Sequence, residues 1–179
     1  MAKKSGGRLV SSAGLVNYYD SDDHRAIHID RSLKGAVKGK VVLITGGSSG
    51  IGEAAAIRIA DAGGKVVVVA RDEEKLAEVR KTIQGRGGFV KTYSCDITDL
   101  AANDKLAQDV LKEFGHVDVL INNAGRSIRR SINLSYDRFH DYERTMQLNY
   151  FACVRLTMNL LPSMTARKSG HIINVSSIG

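Results

Sequence analysis

The sequence predicts an α/β fold, a doubly wound parallel sheet incomplete at its C-terminal side, and three observations carry that prediction. Segments that read as strands recur at residues 41–44, 65–70, 89–95, 117–121 and 171–175, the first of them a continuous apolar run. Segments of helical periodicity separate them, and a glycine-rich turn joins the first run to the first helix. Continuous apolar runs mark strands buried on both faces. Strands alternating with helices imply parallel pairing through right-handed crossovers.

Residues 1–39 are polar, with Gly6-Gly7, Ser11-Ser12 and Ser21-Asp22-Asp23. They read as a leader or linker outside the core, with room for a short helix. His24 and His28 lie four apart, but no third ligand accompanies them, so a solvated face is expected and no metal. Residues 40–179 then form the folded part. Val41 to Ile44 is the first strand, and residues 53–60 the first helix, ended by Asp61-Ala62-Gly63-Gly64. Residues 65–70 make a second buried strand. Residues 72–84 are charged with Leu76, Val79 and Ile83 at helical spacing, an amphipathic helix broken by Gly85, Gly87 and Gly88. A third strand spans 89–95, a capping turn 96–99 and a second crossover helix 103–114. The fourth strand, 117–121, runs into Asn122-Asn123-Ala124-Gly125. Residues 136–167 read as one long helical region with a bend at Pro162. The fifth strand, 171–175, places Ser176 and Ser177 at its carboxyl end.

Composition narrows the class. The chain has 179 residues, 43% of them hydrophobic, enough for one domain with a core. Its net charge of +7 is uneven: residues 1–40 hold eight Lys/Arg against four Asp/Glu, and the rest eighteen against fifteen. No basic helix interleaved with aromatics appears, which argues against nucleic acid; a pocket for an anionic cofactor explains the charge as well. Cys95 and Cys153 lack metal or redox spacing and read as reduced thiols of a cytoplasmic protein. No apolar run approaches membrane-spanning length.

The chemistry begins at residues 45–52, Thr-Gly-Gly-Ser-Ser-Gly-Ile-Gly. Strand, glycine turn and helix is the arrangement that binds a dinucleotide: glycine turns the chain, lets the backbone approach a pyrophosphate, and leads into helix amides that attract anions. Thr45, Gly46, Ser48, Ser49, Gly50, Ile51 and Gly52 are therefore cofactor-binding candidates in a Rossmann-type fold. At the end of the second strand an NAD site places an acid and an NADP site a cation. Ala70 is followed by Arg71, whose guanidinium matches a phosphate, while Asp72 reads as the cap of the next helix. NADPH is the expected cofactor.

The spacing T-G-x-x-x-G-x-G resembles the short-chain dehydrogenase/reductase family, and the resemblance extends over residues 40–179. It implies that Asp96 and Ile97, in Cys95-Asp96-Ile97-Thr98, lie against the adenine. Asn123, Ala124 and Gly125, in N-N-A-G, would lie beside the cofactor. Asn149, in Met146-Gln147-Leu148-Asn149-Tyr150, would organise a water of the proton relay. Ser177, the second serine of Asn174-Val175-Ser176-Ser177, aligns with the catalytic serine that holds a carbonyl oxygen. More narrowly, residues 121–130, 137–150 and 172–179 look like the bacterial fatty acyl-CoA reductases of short-chain dehydrogenase type. That likeness implies reduction of long-chain acyl-CoA to fatty aldehyde by NADPH, with lipid metabolism as the setting and a homo-oligomer as the complete protein. Arg126, Arg129 and Arg130 follow the fourth strand where substrate should enter, and are candidates to attract the phosphates of a CoA thioester; a solvated basic loop is the alternative.

One part of the family pattern is not in this sequence. The proton donor of the family is a Tyr with a Lys four residues on, which lowers the Tyr pKa. The six tyrosines here, Tyr18, Tyr19, Tyr93, Tyr136, Tyr142 and Tyr150, are followed at that distance by Asp22, Asp23, Ile97, His140, Met146 and Val154. The 179 residues thus look like the N-terminal part of a catalytic domain, inactive alone and prone to associate through uncovered apolar surface. A general NADPH carbonyl reductase or alcohol dehydrogenase, and a dinucleotide-binding module without catalysis, stand as the other readings.

Overall fold

A computed structural model describes residues 32–176 with their side chains, together with the backbone of three strands ahead of them, β1 (Arg8–Val10), β2 (Leu15–Tyr19) and β3 (Ala26–Asp30). These three pair antiparallel in the order β1-β2-β3, a feature the leader reading does not anticipate. His24 and the side chain of His28 fall outside the described residues. Helix α1 (Leu33–Val37) follows, capped by the Ser32 hydroxyl, which accepts from the Gly35 amide. Its last residue corrects the expectation that the whole segment lies outside the core: Val37 is buried against Val42 and Val66. A single valine among lysines and glycines has no periodic partner to betray it.

The main sheet contains β4 (Val41–Thr45), β5 (Lys65–Ala70), β6 (Phe89–Ser94), β7 (Val119–Asn122) and β8 (His171–Asn174), all parallel, in the order β6-β5-β4-β7-β8. Helices α2 (Gly50–Asp61) and α3 (Glu73–Gly85) cover one face. The other carries α4 (Leu100–Phe114) and α6 (Cys153–Ala166). Strand alternation explains the division. Val42, Ile44, Val66 and Val68 join the first cluster, whereas Val41, Leu43, Val67 and Val69 join the second. The caps read from sequence are in place: Asp72 accepts from the Lys75 amide, and Asp99 from the amides of Ala101 and Ala102.

The chain runs outward from β4 through β5 to β6, then crosses back to β7 on the other side of β4. That reversal leaves a crevice beyond the carboxyl ends of β4 and β7, where doubly wound sheets bind ligands.

The long helical region of the sequence is three pieces. Helix α5 (Phe139–Met146) passes through a π-helical turn (Gln147–Ala152) into α6, which continues through Pro162 to Ala166. At the turn the Cys153 thiol donates to the Leu148 carbonyl, 3.6 Å away and five residues back. Such turns cluster at functional positions, and this one carries Asn149. Among the described residues no helix is long and apolar enough to cross a membrane.

Candidate functional site

A cleft of about 490 Å³ opens at the crevice between β4 and β7. Thr45 forms its floor. Its hydroxyl is fully buried, accepts the amides of Asn123 (3.1 Å) and Ala124 (3.0 Å), and reaches the Ile121 carbonyl at 3.5 Å. Asn123 returns the grip: its side-chain amide donates to the carbonyls of Thr45 and Gly46, both at 3.1 Å. Both residues line the cleft, yet their polar atoms bind the two loops together and leave backbone and apolar surface for a ligand.

Two glycines of the turn have no substitute. Gly46 adopts φ +66°, and a Cβ there would meet the Ala124 Cα at 2.8 Å. A Cβ on Gly52 would stand 2.3 Å from the Gly46 carbonyl oxygen and 2.5 Å from the Asn123 amide nitrogen. The first lets the loop lie flat on its neighbour, and the second lets α2 approach it. Gly46, Ser48, Ser49 and Ile51 line the cleft, whereas Gly50 and Gly52 do not. Ser49 occupies the N-cap of α2 in extended geometry but makes no side-chain capping bond. The first amides of α2 therefore remain available to an anion. Ile51 is 72% exposed at the mouth, apolar surface that a bound ring would cover.

The far wall holds the specificity candidates. Arg71 lies 3.6 Å from the Asp96 carboxylate and is largely exposed. Asp96 is turned inward, accepting the amide (3.0 Å) and hydroxyl (2.7 Å) of Thr98. Burial pushes its pKa up, but the Thr98 donors and Arg71 outweigh this and hold it below the usual carboxylate value. Ile97 is buried beside it and completes this wall with Cys95, whose thiol pKa is raised by burial and by Asp96 and Asp99. Asn103 fixes the segment from beneath, donating to the carbonyls of Ile97 (2.9 Å) and Ala152 (3.1 Å). Nothing in the local sequence sets this helix asparagine apart as a brace. Lys75 is also absent from the sequence candidates. It stands on the first turn of α3, lines the cleft beside Arg71, and pairs with Asp72 at 3.7 Å. Its position three residues past a capping aspartate was the available signal, because helical side chains lean toward the N-terminus.

The lip formed by Ala124 and Gly125 continues into residues 126–138. Asn149 clamps its start in both directions, its amide nitrogen donating to the Arg126 carbonyl (2.8 Å) and its oxygen accepting the Arg126 amide (3.0 Å). The side chains of Arg126 and Arg129 point to solvent without an ion-pair partner among the described residues. Arg130 does not: it donates to Asp141 at 2.8 Å, so it is not a free cation of an open loop. At the end of β8, Asn174 accepts from the Asn122 side chain at 2.9 Å, and the Val175 amide donates to the Asn122 carbonyl. Ser177 lies outside the described residues, two positions beyond that junction. No group of three metal-ligating side chains occurs among the described residues.

Comparison with known proteins agrees with this architecture. The profile of the short chain dehydrogenase family matches residues 40–179. A fatty acyl-CoA reductase of Acinetobacter baylyi is 60% identical over 143 residues, 80% of this chain and 48% of that protein. A fatty acyl-CoA reductase of Mycobacterium tuberculosis is 50% identical over 141 residues, again 48% of its length. The chain thus spans about half the length of these relatives. Among solved structures, a metagenomic short-chain oxidoreductase in complex with NADP superposes with a TM-score of 0.76 at 36% identity, covering 80% of this chain and 65% of that one. An NAD⁺-bound xylitol dehydrogenase superposes with a TM-score of 0.74 at 28% identity, covering 79% and 54%.

Proposed function

Because the chain belongs to the short-chain dehydrogenase family, we propose that it carries the cofactor cleft of an NADPH-dependent reductase that converts long-chain fatty acyl-CoA to fatty aldehyde. The far wall of the cleft carries the cofactor choice. Arg71 and Lys75 stand there as cations, while both nearby acids are committed, Asp72 to the Lys75 amide and Asp96 to Thr98. A ribose 2′-hydroxyl needs a free acid; a 2′-phosphate needs a guanidinium or ammonium. The ion pairs that Arg71 and Lys75 make are long and exposed, at 3.6 and 3.7 Å, so a phosphate displaces them at little expense.

The residues present fit such a cofactor. The space kept by Gly46 and Gly52, the uncapped start of α2 and the hydroxyls of Ser48 and Ser49 suit a diphosphate. Asp96 and Ile97, which line the cleft, would hold the adenine, and Asn123, Ala124 and Gly125 would hold the opposite end. NADPH supplies a hydride when bound. Around it, Asn149, which fixes the lip through the Arg126 backbone, would organise a water of the proton relay, and Ser177 would steady the negative charge that develops on the carbonyl oxygen. Similarity to two fatty acyl-CoA reductases supports the acyl-CoA substrate, with Arg126 and Arg129 placed to attract its phosphates.

The test uses the full-length protein with each cofactor and with acyl-CoA, aldehyde and ketone substrates. Arg71→Ala is expected to raise KM for NADPH about tenfold and leave NADH within about twofold. Equal losses overturn the NADPH assignment. Turnover of aldehydes or ketones but not acyl-CoA replaces this reading with a general carbonyl reductase.

A further inference from the structure

Asp141 is the most crowded carboxylate among the described residues. It is buried, and its side chain is only 9% exposed, yet three guanidinium groups converge on it. Arg130 Nη1 (2.8 Å) and Arg138 Nε (2.9 Å) donate to one oxygen, and Arg144 Nη2 (2.7 Å) to the other, with His140 Nε2 at 3.4 Å. The three arginines hold the Asp141 carboxyl far below its ordinary pKa, Arg144 foremost. It is ionised throughout the useful pH range, and three positive charges face one negative.

A second arginine–aspartate contact in the molecule shows what a purely structural pair looks like. Arg155 meets Asp104 through Nε and Nη2 on both carboxylate oxygens, at 2.6 and 2.5 Å, and Asn159 completes the set at 2.8 Å. That fork-on-fork geometry satisfies both partners. At Asp141 each arginine donates a single N–H and keeps its others. The side chains of Arg130, Arg138 and Arg144 remain 33%, 38% and 55% exposed. Between Arg126 and Arg144 the acids are Asp137, Asp141 and Glu143, against five arginines. The segment is therefore a set of pre-oriented, under-used donors with net positive charge. It begins at the cleft lip, where Asn149 anchors Arg126.

We propose that Arg130, Arg138 and Arg144, gathered on Asp141, bind the phosphate groups of the nucleotide that carries the acyl chain. This rests on the acyl-CoA reading above and adds Arg130, Arg138 and Arg144 to Arg126 and Arg129, with Asp141 as the positioning residue that holds the three in register. Guanidinium groups already fixed by a buried carboxylate lose little rotamer freedom when a phosphate arrives. Exposed Ile132, Leu134 and Phe139 lie in the same segment and give an amphiphilic ligand apolar surface beside the charge.

The experiment uses the full-length protein saturated with NADPH, titrated calorimetrically with CoA and with pantetheine, which lacks the nucleotide phosphates. CoA is expected to bind about tenfold more tightly than pantetheine. The double variant Arg138→Gln/Arg144→Gln erases that preference while pantetheine and NADPH affinities hold. If the double variant does not fold, Arg144→Gln alone lowers CoA affinity about threefold. Asp141→Asn gives the same selective loss, and Asp141→Glu recovers most of it. CoA binding that the variants leave unchanged overturns the proposal, as does a wild-type protein that does not prefer CoA. Equal losses for CoA and pantetheine mean a structural staple only. Loss confined to binding of phosphatidylglycerol vesicles means a membrane surface instead. Acyl-CoA-dependent NADPH oxidation is read in parallel: its absence with CoA preference intact overturns the reductase reading and leaves the phosphate site standing.

Discussion

Strands β4 and β8 are both short apolar runs that continue the same parallel sheet, yet every residue of β4 is buried and every residue of β8 is exposed. β4 has β5 and β7 as neighbours and a helical layer on each face. Among the described residues β8 has β7 on one side only, and Ile172, Ile173 and Val175 remain between 37% and 47% exposed. The difference teaches that an apolar run specifies a strand, whereas its covering comes from elsewhere in the chain. The dinucleotide-type cleft sits on the covered side of this divide.

The largest effect should come from breaking the covered side. Ile44 is fully buried, and Ile44→Ala is expected to cost about 2–5 kcal/mol, because the surrounding layers relax only partly into the cavity. Urea denaturation followed by far-UV circular dichroism measures it. A loss no larger than that of an exposed isoleucine would mean that β4 is not the centre of the core.

Asp118 joins the two regions and should give the intermediate effect. Its side chain accepts the Val41 amide (2.9 Å) at the start of β4 and Arg167 (2.6 Å), and its carbonyl accepts the His171 amide (2.9 Å) at the start of β8. Burial raises its pKa, but Arg167, the Val41 amide and His116 outweigh that and leave it below the ordinary value. A carboxyl whose folded pKa is depressed contributes stability above its unfolded pKa and loses it as pH falls through the folded one. Asp118→Asn should therefore cost about 1–3 kcal/mol at neutral pH. Its deficit relative to wild type should begin to shrink below about pH 4, where the carboxyl of the unfolded chain takes up a proton, and close once the folded wild-type carboxyl is protonated in turn. Parallel stability–pH curves for the two proteins would remove Asp118 from the bracket.

The sequence made the covered half legible because its signals are local. The runs 41–44 and 65–70, the glycine turn and the capping aspartates each state their role within a few residues. The gathering of Thr45, Gly46, Ser48, Ser49, Ile51, Arg71, Asp96 and Ile97 around one cleft was legible in the same way, from strand ends and short motifs. What escaped depends on partners far along the chain. Val37 becomes core only because β4 and β5 pass beside it, and Asn103 becomes a brace only because Ala152 comes within reach. Arg130 looks free until Asp141 folds back onto it. The π turn around Asn149 has no composition of its own and reads as ordinary helix.

The smallest effect on stability should come from the open side, with a large effect on behaviour. Ile173 sits in β8 with 47% of its surface exposed and, among the described residues, one neighbouring strand. Ile173→Lys removes little burial and should change stability by less than about 0.5 kcal/mol. An edge strand with free backbone donors and apolar side chains is, however, a template for pairing with another copy, and an exposed lysine blocks that pairing. The 179-residue chain should therefore associate in a concentration-dependent way that Ile173→Lys reduces, as read by sedimentation velocity. If wild type and variant sediment alike as monomers, the exposed strand is not sticky. The contrast between β4 and β8 would then be one of burial alone. If the variant loses stability as strongly as Ile44→Ala, β8 is covered in solution and the contrast itself is wrong.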